Sequence, residues 1–427
     1  MSIRLIENQS GLAVSEAGWG VVSWPPTRFT FLFLMHYSSK STQCVHSGTA
    51  VDEATGGVNT PIYTSTAYAY LNQTQHRYPR YFNTPNQQAV VEKVCALEHA
   101  EAGLLFGSGM AAISTALLSL LQKGDHIVIP KEIYGGTHYL AMHEFPRFGI
   151  EFSFTEGNTA ADFAACIRPN TRILYLETPS NPLLSITDLE AVASLARSRG
   201  LLTVIDNTFA SPINQNPIDF GIDVVTHSGT KYLGGHSDIA CGVIVASRQL
   251  ISTIHKSAIC YGGNLPAETC SLLERSLKTL ELRVSRQNAN AMSLATSLQE
   301  HPAIAQVFYP GLENHPDHET ARKQMKGFGG MLSFELKQIE PQSFLNALRL
   351  IKPAMSLGGI ESTIVQPWAT SHSKMNETER RALGISERTM RLSVGIEDAA
   401  ELLADIEQAL TKGESHWVTP QADAAIN

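Results

Sequence analysis

Between Ala102 and Ser247 the chain alternates short apolar runs with amphipathic helical patterns, and this alternation limits the fold more than any other feature. Apolar strands need cover on both faces, which calls for a parallel sheet with crossover helices. One unit is fully legible. Arg172–Glu177 reads as a buried strand, followed by a Thr-Pro-Ser-Asn-Pro turn. Thr187 and Glu190 then have the spacing of a capping box. Leu189, Val192, Ala193 and Ala196 form one helical face, and Gly200 ends the helix. Leu201–Asp206 is the next strand, and further strands are expected at His126–Pro130, Val224–His227 and Cys241–Ala246. Polar residues sit at the strand ends, where open α/β sheets bind ligands.

Past about Leu280 the texture changes. Helical stretches at Gln287–Gln299, Phe344–Leu350 and Ala399–Leu410 alternate with strands at Gly330–Leu336 and Met390–Val394. The expected division is an extension over 1–34 outside the fold, with Met35 as functional start, then an N-terminal arm and intersubunit segment over 35–95. A large α/β domain over 96–280, a smaller α+β domain over 281–412 and a tail over 413–427 complete it.

Several function classes drop out. The net charge is −8 and Lys and Arg do not cluster, which argues against nucleic acid as a partner. The apolar run Phe29–Met35 is far short of the roughly 18 residues of a membrane span. Six cysteines without a Cys-x-x-Cys pair suit neither a disulfide framework nor a cysteine zinc site, and a reducing, cytoplasmic setting is expected. His315-Pro-Asp-His318 reads as a solvated loop, and no metal is expected. His46 and Trp368 are assigned to packing, and Gln366–His372 to the lining of the substrate pocket.

The segment His227-Ser-Gly-Thr-Lys231-Tyr-Leu-Gly-Gly-His-Ser-Asp238 carries the chemistry. A lysine at the end of a buried strand is costly unless paired, neutral or covalently used. Ser228 and Thr230 place hydroxyls beside it for a phosphate. Asp206 ends the neighbouring apolar strand and supplies the carboxylate that a protonated pyridine ring needs. A Lys–Asp pair of this kind fits pyridoxal phosphate (PLP) held as a Schiff base on Lys231. Phe106-Gly-Ser-Gly-Met-Ala-Ala-Ile113 opens a helix whose amides suit a phosphate. The same stretch matches Gly-x-Gly-x-x-Ala with Glu132 downstream, so a nicotinamide-dependent dehydrogenase is the rival, and an inactive scaffold a third reading.

Over about Cys44–Lys412 the chain resembles the Cys/Met-metabolism family of PLP enzymes, which includes cystathionine γ-lyase, β-lyase and γ-synthase. The resemblance is carried by Ser-Gly-Met at 108–110, Tyr-Gly-Gly-Thr at 134–137, Glu-Thr-Pro-Ser-Asn-Pro at 177–182 and Asp-Asn-Thr-Phe at 206–209. It continues with Ser228–Asp238, Gly-Gly-Ile-Glu-Ser at 358–362 and Arg-Leu-Ser-Val-Gly-Ile-Glu-Asp at 391–398.

The resemblance implies an aspartate-aminotransferase-like α/β fold (fold type I) with a central, mostly parallel sheet and a smaller α+β domain. It implies that Lys231 binds the cofactor and moves protons, Asp206 holds the pyridinium and Tyr134 stacks on the ring. Gly109, Met110, Ser228 and Thr230 take the phosphate. Asn181, Ser362 and Arg391 bind the substrate. Tyr78 and Arg80 reach the phosphate of a neighbouring subunit, although the family's Asn-Pro-Thr is here Asn83-Thr84-Pro85. The implied protein is a homotetramer built from dimers that share active sites. The implied activity is carbon–sulfur elimination on cystathionine or a related sulfur amino acid. The alternatives are γ-replacement, as in cystathionine γ-synthase or O-acylhomoserine sulfhydrylase, and methionine γ-lyase. The last carries a cysteine in the Tyr-Gly-x-Thr segment, where this chain has Gly136.

Overall fold

The computed structural model describes residues 37–52, 54–371, 373 and 376–414, so the expectations for 1–34 and most of 413–427 lie outside the described residues. Seven strands form the larger sheet: β1 (Ala102–Phe106), β2 (His126–Ile129), β3 (Glu151–Phe154), β4 (Thr171–Glu177), β5 (Leu202–Asp206), β6 (Val224–Ser228) and β7 (Gly242–Ala246). Their spatial order is β1-β7-β6-β5-β4-β2-β3, and only β7 runs against its neighbours. The inner strands are largely apolar because successive side chains enter two different cores. Leu174, Leu176, Ile205 and Val225 face one of them. Ile173, Tyr175, Val204 and Val224 face the other. Truncating Leu174, Leu176, Ile173 or Ile205 to Ala costs about 2–5 kcal/mol.

The helix after β4 spans Leu189–Arg199, buries the four expected residues and ends at Gly200 with φ +66°. Its cap differs from the expected box. Asp188, one residue later, accepts the Ala191 amide at 3.0 Å, while Glu190 reaches Lys323 at 2.7 Å. A carboxylate at the cap position outcompetes the Thr187 hydroxyl, whose backbone instead bonds Thr178 and Gln324.

A second sheet, ordered β10-β11-β12-β9-β8, contains β8 (Ile304–Phe308), β9 (Met331–Leu336), β10 (Lys352–Pro353), β11 (Thr363–Val365) and β12 (Thr389–Ser393). Its core joins Leu332, Phe334 and Leu392 to Leu294 and Leu298 of the helix Leu280–Gln299 and to Leu402 and Ile406 of the C-terminal helix. The molecule is thus α/β with a mostly parallel central sheet and a separate smaller one.

This topology disposes of the dehydrogenase reading. The glycine motif follows β1, but β1 lies at the sheet edge against antiparallel β7, and its successor β2 lies four strands beyond β7. A dinucleotide fingerprint needs a βαβ unit with parallel neighbours. Glu132 instead accepts hydroxyls from Ser180 at 2.9 Å and Ser185 at 2.7 Å, fixing the loop after β4.

Candidate active site

The C-terminal ends of β1, β2, β4, β5 and β6 open on the same edge of the sheet, as parallel direction requires. Asp206 closes β5, buried, and its Oδ1 accepts the Thr208 amide at 2.9 Å and the Thr208 hydroxyl. The Thr208 oxygen in turn accepts the Ser228 amide at 2.8 Å, tying the end of β6 to that of β5. Burial pushes the Asp206 carboxyl up, and the two Thr208 bonds, with His227 and Lys231, restrain the rise.

Lys231 lies three residues past β6. Burial, reinforced by Arg391, pushes its amine down to about 8, with Asp206 opposing. A substantial neutral fraction near neutrality makes Nζ a competent nucleophile and base. Nζ donates to Ser356 Oγ at 2.8 Å. Ser356 has φ +87°, a left-handed conformation unusual for a non-glycine residue, next to the reactive amine.

The phosphate end is built from the helix Gly109–Leu120. Ser108 caps it by accepting the Ala111 amide, which leaves the amides of Gly109 and Met110 with no helical carbonyl in reach. A Cβ on Gly109 would lie 2.9 Å from Ser228 Oγ, so glycine there brings the helix start against that hydroxyl. A Cβ on Gly136 would lie 2.5 Å from a ring carbon of Tyr134 and 2.8 Å from the Met110 sulfur, which fixes the Tyr134 ring beside the same turn. The Thr230 hydroxyl turns instead to Cys241, accepting its amide at 3.0 Å.

Arg391 projects from β12 and is buried, with its guanidinium held down at about 10 by burial. Nη1 donates to Asn181 Oδ1 at 2.8 Å, and Nε has no hydrogen-bond partner. Among the described residues no carboxylate pairs with it. A buried guanidinium with one neutral partner is costly until a carboxylate arrives, and Arg binds one in two-pronged geometry.

The structure therefore gathers Lys231, Asp206, Tyr134, Gly109, Met110, Ser228, Asn181 and Arg391. Three expectations depart from it, the first being Thr230, whose hydroxyl is engaged by Cys241. Ser362 is buried but its hydroxyl donates to Glu397 at 2.9 Å and accepts the Gly395 amide at 2.8 Å, so it has no proton left to donate to a substrate carboxylate; Ser356 is the serine that reaches Lys231. Tyr78 and Arg80 are exposed on the 3₁₀ turn region Pro79–Tyr81, and Arg80 Nη1 donates to Ile259 O at 2.9 Å, outside the cluster of their own chain.

Besides Ser356, the sequence reading missed four supporting residues. Glu177 Oε2 accepts the Tyr134 amide at 2.8 Å, and Thr208 anchors Asp206; both stand inside the family motifs but carried no assigned role. Behind the sheet, His227 Nε2 meets Glu98 Oε1 at 2.5 Å, both fully buried. That pairing joins residues 129 positions apart, so no local pattern signals it. His315 Nδ1 accepts the Asp317 amide and His318 Nδ1 contacts Pro310 O; no three His, Cys, Asp or Glu among the described residues converge as metal ligands.

These residues fit PLP: unspent helix amides and a hydroxyl for a phosphate, a buried carboxylate for a ring nitrogen, and a depressed lysine for the aldehyde. The model of the Cys/Met metabolism PLP-dependent enzymes matches residues 41–411. A cystathionine gamma-lyase of Bacillus subtilis is 44% identical over 375 residues, 87% of this chain and 99% of that protein. A cystathionine beta-lyase of the same organism is 41% identical, covering 88% and 97%. The crystal structure of cystathionine gamma-lyase from Lactobacillus plantarum complexed with L-serine superposes with TM-score 0.85 at 41% identity, covering 88% of this chain and 99% of that one. The chain belongs to the Cys/Met metabolism PLP-dependent enzyme family.

Proposed function

We propose that the protein is a carbon–sulfur lyase of the transsulfuration type, acting on cystathionine by β- or γ-elimination. The observation that carries this reading is Arg391, buried without a carboxylate, with an unpaired Nε and close enough to Lys231 to depress its amine. Arg391 and Asn181 take the α-carboxylate of the amino acid. When bound, PLP supplies an electron sink for the charge left at the substrate α-carbon. Lys231 Nζ removes the α-proton and, where the sulfur leaves from Cγ, a Cβ proton as well, and Ser356 orients Nζ between steps. Asp206 keeps the proton on the ring nitrogen. Tyr134 Oη or Lys231 Nζ returns a proton to the departing sulfur. The tight fit at Gly136, where any Cβ meets the Tyr134 ring, supports a cystathionine lyase over a methionine γ-lyase with cysteine there.

Incubation with cystathionine tests the reading. Pyruvate marks β-elimination and 2-oxobutyrate γ-elimination, and either supports it. Neither keto acid, with sulfur-linked product formed from an O-acylhomoserine, would assign γ-replacement instead.

We further infer a homotetramer built from dimers, in the cytoplasm, with Tyr78 and Arg80 completing a partner's phosphate site. In support, the helix start and Ser228 donate hydrogen bonds but bring no full charge to a dianionic phosphate, and Arg80 is exposed. Lys231→Ala and Arg80→Ala homomers are each expected to be nearly inactive. Random mixing should restore about a quarter of the sites, since half the dimers are mixed and each holds one intact site. No recovery in verified mixed dimers would confine Arg80 to its own chain.

A further inference from the structure

Glu177 is a buried acid at the C-terminal edge of the sheet to which the elimination chemistry gives no task. It closes β4 as Asp206 closes β5, and the two are registered partners on parallel strands. Their side chains leave the same face, with backbones about 4.8 Å apart. Both are buried, 5% and 7% exposed, so solvent does little to separate their charges. Oδ1 of Asp206 is taken up by Thr208, and Oε2 of Glu177 by the Tyr134 amide.

Among the described residues no cation forms an ion pair with either carboxyl. The charged groups around them have other engagements. Lys231 bonds Ser356, and His227 turns to Glu98 behind the sheet. Tyr175, two residues before Glu177 on the same strand, has its phenol held protonated by burial, and Tyr134 meets Glu177 through its backbone amide. On the outer side a cavity reaches Glu177, with Lys131, Glu132, Glu156, His315 and Asp317 among its lining residues. There Lys131 lies 3.7 Å from Glu156, Glu132 holds Ser180 and Ser185, and Asp317 accepts the Ile186 amide. His315 Nδ1 is spent on the Asp317 amide. Two buried carboxyls this close cannot both ionise without a compensating cation for each.

We propose that Glu177 is a positioning residue that carries the proton of a carboxyl pair with Asp206, leaving one negative charge at the strand ends, on Asp206. The division follows from the partners. Asp206 accepts two donors through Thr208, lies nearer to Lys231 and His227 and is the acid assigned to a pyridinium; Glu177 accepts one amide. The directions agree: burial first, then Asp206, drives the Glu177 carboxyl well above its usual range, while Thr208, His227 and Lys231 restrain Asp206. The consequence is twofold. The ring nitrogen meets one negative charge rather than two, and the same Glu177 carboxyl holds the Tyr134 backbone. The inference rests on the assignment of Asp206 to the cofactor only for that consequence; the protonation itself can be tested without turnover.

Glutamine reproduces a protonated glutamate, with one oxygen for the Tyr134 amide and a donor for Asp206. In the full-length protein, with and without PLP, Glu177→Gln is expected to fold and to leave PLP affinity and the visible absorbance of bound cofactor unchanged within about twofold, as for a retained hydrogen bond. The parent should lose stability relative to Glu177→Gln as pH rises. A carboxyl raised in the folded state binds a proton that the unfolded chain releases above about pH 4.3, so its contribution falls from that point toward the raised value. The melting temperature of Glu177→Gln minus that of the parent should therefore grow by at least about 2 °C between pH 5 and pH 8. A parent-minus-variant infrared difference at pH 8 should show the carbonyl stretch of a protonated carboxyl. A carboxylate band instead, a constant or shrinking melting difference, or failure of Glu177→Gln to fold would each overturn the proposal. Loss of activity toward cystathionine with these signatures intact would count against the proposed reaction, not against the carboxyl pair.

Discussion

The two faces of the strand ends β5 and β6 carry similar polar residues and use them in opposite ways. On the rear face His227, Asn207 and Asn216 converge on Glu98, whose Oε1 takes His227 at 2.5 Å and Asn207 at 2.9 Å and whose Oε2 takes Asn216 at 3.4 Å. On the front face Asp206, Ser228 and Lys231 stand beside unspent helix amides and an arginine with an unpaired Nε. The rear cluster satisfies both oxygens of Glu98, leaving only Asn216 Oδ1 of its members without a partner among the described residues, and holds the helix Pro85–Glu98 to the sheet. The front cluster is completed only by what binds. Because side chains alternate along a strand, a shift of one residue, from Ser228 to His227, separates binding from support.

The comparison can be broken from either side. The largest effect is expected at Asp206→Asn, which keeps the shape but removes the charge that holds a ring nitrogen protonated. Turnover should fall at least about a hundredfold, as for one preorganised electrostatic contact. Near-normal turnover would remove Asp206 from the chemistry. Next comes Gly136→Ala, whose new Cβ would meet Tyr134 at 2.5 Å and displace its ring. We expect turnover to drop by about tenfold or more, because misplacement near 1 Å can cost 10²-fold; an unchanged rate would show that the Tyr134 position is not critical.

His227→Ala addresses the rear face. It leaves Glu98 buried without its main partner and should cost about 3–5 kcal/mol of stability. The KM for cystathionine should stay within about twofold in the surviving folded protein, consistent with a support role outside uniform binding. A raised KM with an unchanged melting temperature would reverse the roles of the two faces. The smallest effect concerns pH. Lys231 reacts as the neutral amine and its value lies near 8, so the rate of covalent PLP uptake by apoprotein should rise with pH and level off above about 8. A rate still climbing steeply to pH 10 would place the amine at its ordinary value.

The front face was largely legible in the sequence because its residues cluster in short motifs: Asp206 at a strand end, Ser228 to Lys231 within four positions, Ser-Gly-Met at a helix start. Strand ends, the helix after β4 and its Gly200 stop were equally local and agreed with the structure within one or two residues. What escaped depends on distance along the chain. The Glu98–His227 pair spans 129 positions, and Ser356 meets Lys231 across 125. Ser362 was assigned through the Gly-Gly-Ile-Glu-Ser motif at 358–362, while Ser356 lies just before that motif; only the fold shows that one faces Glu397 and the other Lys231. The reversed direction of β7 was hidden as well, since an apolar run reads the same in both directions.

The central claim is that Lys231 is the residue that holds PLP. Borohydride reduction of the PLP-loaded protein, followed by peptide mapping, tests it most directly. The account predicts a single cofactor-bearing peptide containing Lys231, and no fixed cofactor in Lys231→Ala. Cofactor fixed to any other lysine, or retained after reduction in Lys231→Ala, would contradict it.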